Sequence, residues 1–177
     1  MNLASFLSRR SAGAGALACA VALAAGAWSS AAASARTAVA ACTTSGLVVW
    51  LDTRGNATAG SFYYDLKFTN LSGHACTLRG FPGISAVDIR GHQLGSPGSR
   101  ATSSARLVSL ADGGTATALL RITVAANFPN ATCRRVTAAG LRVYPPNQRV
   151  SKVVPFPFEA CSRSGPVYVS VRAVVSS

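Results

Sequence analysis

The chain has 177 residues, one domain's worth with a surplus, and 17 lysines and arginines against 5 acidic residues give it a net charge of +12. Two histidines and five cysteines, none in a Cys-x-x-Cys pair, speak against a zinc ribbon or a thioredoxin-like redox site. No apolar run reaches the roughly 20 residues that a comfortable membrane-spanning helix needs.

The surplus lies at the front. Arg9 and Arg10 precede an Ala/Gly-rich apolar run from Gly13 to about Trp28, and small residues continue to Cys42. Ala33-Ser34-Ala35 and Ala38-Val39-Ala40 both fit the small-x-small rule of signal peptidase. This is the layout of a secretory signal: a signal peptide helix over residues 1–35, with cleavage as late as 40 or 41 as the alternative. Residues 36–41 then form a short linker and residues 42–177 a single domain. Ser8-Arg9-Arg10 partly resembles a twin-arginine signal, although Ala12-Gly13 departs from the apolar pair expected there. Val39-Ala40-Ala41-Cys42 fits a loose lipobox, in which Cys42 would carry a lipid anchor. Its distance from the apolar run makes that the lesser alternative to plain export.

Beyond Cys42 the chain reads as short strands and turns. Leu47–Leu51 is an apolar strand. Phe62, Tyr64, Leu66 and Phe68 alternate with Tyr63, Asp65, Lys67 and Thr69, the period of a half-buried antiparallel strand. Asn70–Gly73 supplies a turn, Cys76–Leu78 resumes extended structure, and Gly80-Phe81-Pro82-Gly83 makes a rigid corner. Ile84–Ile89 is a strand closed by Gly91. Gly95–Ala105 is an exposed loop. Leu107–Leu110 is a short strand, and Asp112-Gly113-Gly114 a turn. Ala116, Ala118, Leu120, Ile122 and Val124 mark the inner face of another strand. Ala125–Arg135 has room for a helical turn at most. Leu141–Tyr144 stops at Pro145-Pro146, and a strand starting at Lys152 is interrupted by Pro155 and Pro157. At the end Val167, Val169, Val171 and Ala173 face one way, and Tyr168, Ser170 and Arg172 the other. The expected fold is all-β, a two-sheet antiparallel sandwich of the immunoglobulin-like kind.

Cys19 falls in the leader, so Cys42, Cys76, Cys133 and Cys161 form an even set for an exported domain. Of the three connectivities we favour the sequence-local pairs Cys42–Cys76 and Cys133–Cys161, each contributing roughly 3 kcal/mol. A mature part of about 140 residues buries a core of its own, which the disulfides supplement. Loss of Arg9 and Arg10 with the leader takes the charge from +12 to +10. The remaining bases, mostly arginine, are scattered. Such a surface attracts polyanions. An anionic cell-envelope polymer or another exported protein is the expected partner. Nucleic acid is not, because the chain leaves the compartment that holds it. A monomer is expected.

Chemistry-bearing patterns are sparse. Gly-x-Ser-x-Gly, His-Glu-x-x-His, a P-loop and a strand-linked Gly-x-Gly-x-x-Gly are absent. The acids are Asp52, Asp65, Asp88, Asp112 and Glu159, and any two facing each other across a cleft would suit a hydrolase. Asp112 is better read as a turn residue and Asp65 as the polar face of its strand. His74 and His92 read as solvated turn residues. No catalytic residue, metal ligand or cofactor is assigned, and the chain is read as not an enzyme. Trp50, Tyr63, Tyr144 and Tyr168 offer polar-tipped aromatics. Tyr63 and Tyr168 are expected on outward faces, as cross-strand pairs or as stacking groups. A secreted protease inhibitor is a third reading, with residues near Cys133 as its loop.

The stretch Phe68–Leu94 carries Asn70, Ser72, Gly73, Cys76, Leu78, Gly80, Phe81, Pro82, Gly83 and Gly91 in one pattern. It resembles the actinobacterial secreted family catalogued as domain of unknown function 4232. Leu110–Ala116 continues the likeness, with Asp112 where proline is usual, as do Val143-Tyr144-Pro145-Pro146 and Cys161. The resemblance spans Cys42 to about Val174. It implies an exported or lipid-anchored all-β sandwich with no assigned activity. The leading expectation is a non-catalytic secreted or cell-envelope binding or structural module.

Overall fold

The computed structural model describes residues 38–177; the expected signal peptide and Cys19 lie outside them. The described chain runs through β1 (Leu47–Thr58), β2 (Ser61–Asn70), β3 (Cys76–Arg79), β4 (Gly83–Val87), β5 (Gln93–Leu94), β6 (Ser99–Arg100), β7 (Leu107–Leu110) and β8 (Thr115–Thr123). A 3-10 turn at Ala125–Asn127 and a single helical turn α1 (Asn130–Cys133) follow. Then come β9 (Arg135–Tyr144), β10 (Lys152–Cys161), β11 (Val169–Val171) and β12 (Val175–Ser176). A six-stranded sheet is ordered β1-β2-β8-β11-β6, with β12 also paired to β8. A four-stranded sheet is ordered β10-β9-β4-β5, and β3 and β7 make a two-stranded ribbon. The pairings are antiparallel except β11 with β6. The architecture is a β-sandwich whose sheets do not close into a barrel.

The two-residue period builds it. Leu66 and Phe68 of β2 and Ala116, Ala118, Leu120 and Ile122 of β8 are buried. They meet Ile84, Ala86, Leu141, Val143 and Val154 of the smaller sheet in one core. At one end Phe62, Tyr64, Phe156 and Phe158 pack in sequence, stacked at either end and edge-to-face between Tyr64 and Phe156, with ring centroids 5.0 to 6.3 Å apart.

Four departures from the sequence reading have physical causes. β1 runs on to Thr58 through a register shift between Asp52 and Asn56. Gly55 sits in that bulge because a Cβ there would lie 2.4 Å from the Tyr64 ring. β10 passes through Pro155 and Pro157 without ending, also with a register shift between Pro155 and Phe158. It is an edge strand, where a missing N–H costs no ladder bond. Tyr168 does not face solvent: it is 1% exposed, while Val167 is 49% exposed. The chain at Gly95 closes over its ring, and its Oη donates to the Leu94 carbonyl at 3.1 Å. Burial pushes its phenol up to about 12. The segment expected as an exposed loop, Gly95–Ala105, keeps exposed residues but includes the short strand β6, and the Gly98 N–H donates to the Ile84 carbonyl.

Disulfides join Cys42 to Cys76 and Cys133 to Cys161. Upstream of Cys42 the chain lies parallel to β3. The Cys42 N–H donates to the Thr77 carbonyl, and both the N–H and the hydroxyl of Thr77 donate to the Ala40 carbonyl.

Asn70 is wholly buried and holds two turns together. Its side-chain amide donates to the carbonyls of His74, Leu110 and Ala111 at 2.8 to 3.2 Å. Its Oδ1 accepts from the N–H and hydroxyl of Ser72. Its backbone N–H donates to Gly114, and its carbonyl accepts from Gly113. Asp112 completes the lock by accepting the Gly73 N–H at 2.9 Å. Both turns use glycines at positive φ, Gly73 at 78° and Gly113 at 77°.

Candidate binding site

The outer face of the six-stranded sheet gathers polar residues in register. One row sets Asn56 opposite Tyr63, Tyr63 opposite Arg121, and Arg121 opposite Ser170. The next sets Asp52 opposite Asp65 and Asp65 opposite Leu119, whose carbonyl accepts the Arg172 N–H. A third sets Trp50 opposite Lys67 and Lys67 opposite Thr117. Cross-strand neighbours of this kind have Cβ atoms about 5 Å apart, so each row is a line of touching side chains.

Two shallow recesses lie on this face and share Tyr63 and Leu119. One, of about 160 Å3, is lined by Tyr63, Ala101, Leu119, Arg121, Ser170 and Arg172. The other, of about 110 Å3, lies by Asp52, Arg54, Asn56 and Asp65.

Charge divides them. In the second, Arg54 holds Asp52 at 2.7 Å and Lys67 holds Asp65 at 3.2 Å. In the first, neither arginine has a carboxylate within 4 Å among the described residues. Arg121 is steadied instead by Nε donating to the buried Ser61 hydroxyl at 3.0 Å. Its terminal nitrogens remain available to a ligand, and a guanidinium fork suits carboxylate or phosphate oxygens. Tyr63 offers a ring beside it.

Hydrogen bonds from the Arg54 side chain, and then from its backbone N–H, lower the Asp52 carboxyl from 3.8 to about 2. The folded value lies below the unfolded one. That stability is therefore present above about pH 4 and lost as pH falls toward 2. An Asp52→Asn variant is expected to show a shallower decline of urea midpoint between pH 4 and pH 2 than the parent. Parallel profiles would mean that the Arg54 contact carries no linkage.

The other residues singled out from sequence lie apart from this face or at its margin. Trp50 is 41% exposed, its Nε1 donating to Thr69 Oγ1 at 3.1 Å, one row from the recesses. Tyr144 packs at Gly83 on the smaller sheet. His74 Nδ1 donates to the Ser72 carbonyl at 2.9 Å. His92 pairs with Asp88 at 3.3 Å in the turn after β4. Burial works against the Asp88 carboxylate, but the backbone N–H groups of His92 and Arg90 outweigh it and hold that carboxyl low. Glu159 is exposed on β10. No three of His, Cys, Asp and Glu cluster among the described residues. The segment before Cys133 is a helical turn ending in Arg134 at positive φ, not an extended strand. Leu119, Ala101 and Arg172 carried no motif, and only the register brings them to Tyr63.

A family model described as a domain of unknown function, DUF4232, matches residues 42–176. No curated protein and no solved structure matches the chain.

Proposed function

The chain belongs to the family described as domain of unknown function 4232, and from that premise we propose that it is a non-catalytic secreted or cell-envelope module that binds an anionic polymer. The observation that carries this is the recess where Arg121 and Arg172, unpaired with carboxylates among the described residues, flank Tyr63. An anionic sugar polymer supplies both an acidic group for the arginines and a ring face for the tyrosine. The net positive charge of the chain adds long-range attraction. Two disulfides, and the lack of any helix among the described residues long and apolar enough to cross a membrane, accord with a place outside the cytoplasm. Cys42 sulfur is engaged by Cys76, which favours export over a lipid anchor at that residue.

The hydrolase reading has one observation in its favour, the register that sets Asp52 opposite Asp65. A general acid must keep its proton near neutral pH. Asp52, held at about 2, would serve only as the ionised member of a pair, and Asp65 has the Lys67 ammonium at 3.2 Å, which favours its ionised form as well.

Isolated cell envelope and the exported domain are expected to associate. That binding should weaken as salt shortens the Debye length below about 8 Å. The Arg121→Ala/Arg172→Ala pair should reduce it by about tenfold or more, at one charged contact of roughly 1.5 kcal/mol or more. Soluble polyphosphate should compete. Binding indifferent to salt and to both arginines would overturn the proposal.

A further inference from the structure

No other large apolar side chain among the described residues is as exposed as Ile89, at 90%. Ile89 sits in the turn that joins β4 to β5, at a recess of about 360 Å3 lined also by Arg90, Ala139, Val153 and Pro155. Val153, itself 55% exposed, lies on the edge strand β10 opposite Arg142 of β9, and Pro155 lies opposite Gly140. Val153 and Arg142 point away from the core, because their strand neighbours Val154, Leu141 and Val143 are buried in it. The recess therefore lies on the outer face of the smaller sheet.

The turn is locked by its own hydrogen bonds. The Asp88 N–H donates to the His92 carbonyl and the Gly91 N–H to the Asp88 carbonyl, each at 2.9 Å. The Asp88 carboxylate accepts the N–H groups of Arg90 and His92 at 2.9 and 2.8 Å. The Arg142 guanidinium donates to the Gly91 carbonyl and pins the turn to the sheet. The Ile89 side chain takes no part in this lock, and its exposure means that it adds almost nothing to the core. A β-branched side chain on so fixed a backbone has little freedom left to lose, so burying it against a partner costs little ordering entropy.

We propose that this turn and recess dock on an anionic lipid bilayer, with Ile89 entering the boundary between headgroups and acyl chains and Val153 and Pro155 resting on it. Charge complementarity selects the partner. Arg90 and Arg142 have no carboxylate within 4 Å among the described residues, and Lys152 precedes Val153 on β10. Asp88, the one acid at the recess, is spent on the two N–H groups and on the His92 ring at 3.3 Å. Cations beside exposed aliphatic side chains match anionic headgroups above acyl chains. A free anion would gain nothing from Ile89, Val153 or Pro155. A protein partner would need a pocket shaped for the projecting Ile89, whereas fluid lipid receives it without one. The excess of basic over acidic residues draws the chain toward such a surface. The recess at Arg121 and Arg172 belongs to the other sheet, so the two surfaces stand or fall separately.

The test uses residues 38–177, which hold the core and both disulfides and leave out the apolar run from Gly13 to Trp28. Vesicles of phosphatidylglycerol are expected to carry this domain down on sedimentation, and vesicles of phosphatidylcholine are not. Ile89→Ser should weaken binding to the anionic vesicles about tenfold at an unchanged melting temperature, through the lost transfer of one aliphatic side chain. Val175→Ser, which alters an exposed valine on the other sheet, should leave binding as it is. Arg90→Gln should weaken it about fivefold, and Arg172→Gln, on the other sheet, distinctly less. Ile89→Trp should bind at least as tightly, with its emission shifted to the blue on vesicles. Failure to sediment with the anionic vesicles, undiminished binding of Ile89→Ser, equal losses from the two arginine variants, or the absence of a blue shift would each overturn the proposal. A concentration-dependent dimer that Ile89→Ser abolishes would also overturn it, by assigning the patch to a second copy.

Discussion

Asn70→Ala is expected to destabilise the domain by about 4 kcal/mol, the largest effect of any single side chain considered. Asn70 is wholly buried, and its side chain alone serves three carbonyls and two donors. Truncation leaves those groups facing a cavity too small to hydrate all of them, and each buried unsatisfied group costs roughly 1–3 kcal/mol. Some relaxation brings the sum to the high end for point substitutions. The melting temperature should fall on the order of 10 °C. Asn70→Asp keeps the acceptor for Ser72 but loses the donors and buries a charge, so it should be at least as damaging. Ser72→Ala removes one partner at the margin and should cost only about 1 kcal/mol. Urea midpoints of the three variants check the order. An Asn70→Ala midpoint close to that of Ser72→Ala would show that the two turns hold each other without this side chain.

Removing both disulfides is expected to leave the domain of residues 42–177 largely unfolded. The bonds close segments of 34 and 28 residues. Loop-closure entropy assigns each about 3–4 kcal/mol. Their joint loss of about 7 kcal/mol matches the whole stability of an ordinary domain. The bonds act at different places. Cys133–Cys161 ties the open end of the hairpin of β9 and β10, beside the pair of Arg135 and Cys161. Cys42–Cys76 ties the upstream segment to the ribbon of β3 and β7. Cys133→Ala/Cys161→Ala should therefore loosen the smaller sheet, and Cys42→Ala/Cys76→Ala the ribbon. Amide exchange in each variant locates the loss, and denaturation with and without reductant measures it. A reduced, alkylated chain with an unchanged urea midpoint would refute this account.

Much of the fold was legible where a strand has one face in the core and one in water. β2 and β8 alternate cleanly because each faces Leu141, Val143 and Ile84 on one side and solvent on the other. β10 was cut short at its prolines because the rule that excludes proline presumes a central strand, and β10 lies at an edge. Tyr168 was read as outward because parity records which way a side chain leaves the strand and nothing of a distant segment that covers it. The candidate site was legible only in Tyr63. Its other walls come from β8, β11 and the segment after β6, and their meeting depends on pairing register. Five scattered acids likewise gave no reason to choose Asp52 with Asp65. The bulge between Asp52 and Asn56 adjusts the pairing beside them.

The parallel pairing of Ala41 with Thr77, in which the Ala40 carbonyl takes the Thr77 N–H, would bear on maturation of a chain with a cleaved leader. The two small-residue positions expected for cleavage would not be equivalent to the folded domain. A cut after Ala35 keeps the whole edge segment. A cut after Ala40 removes the carbonyl that takes both the N–H and the hydroxyl of Thr77. It also sets a charged amine one residue from the disulfide. If the leader is removed as its sequence leads one to expect, the sheet edge would act as a ruler for proteolysis, rewarding the trimming that stops short of it and fraying under the trimming that does not.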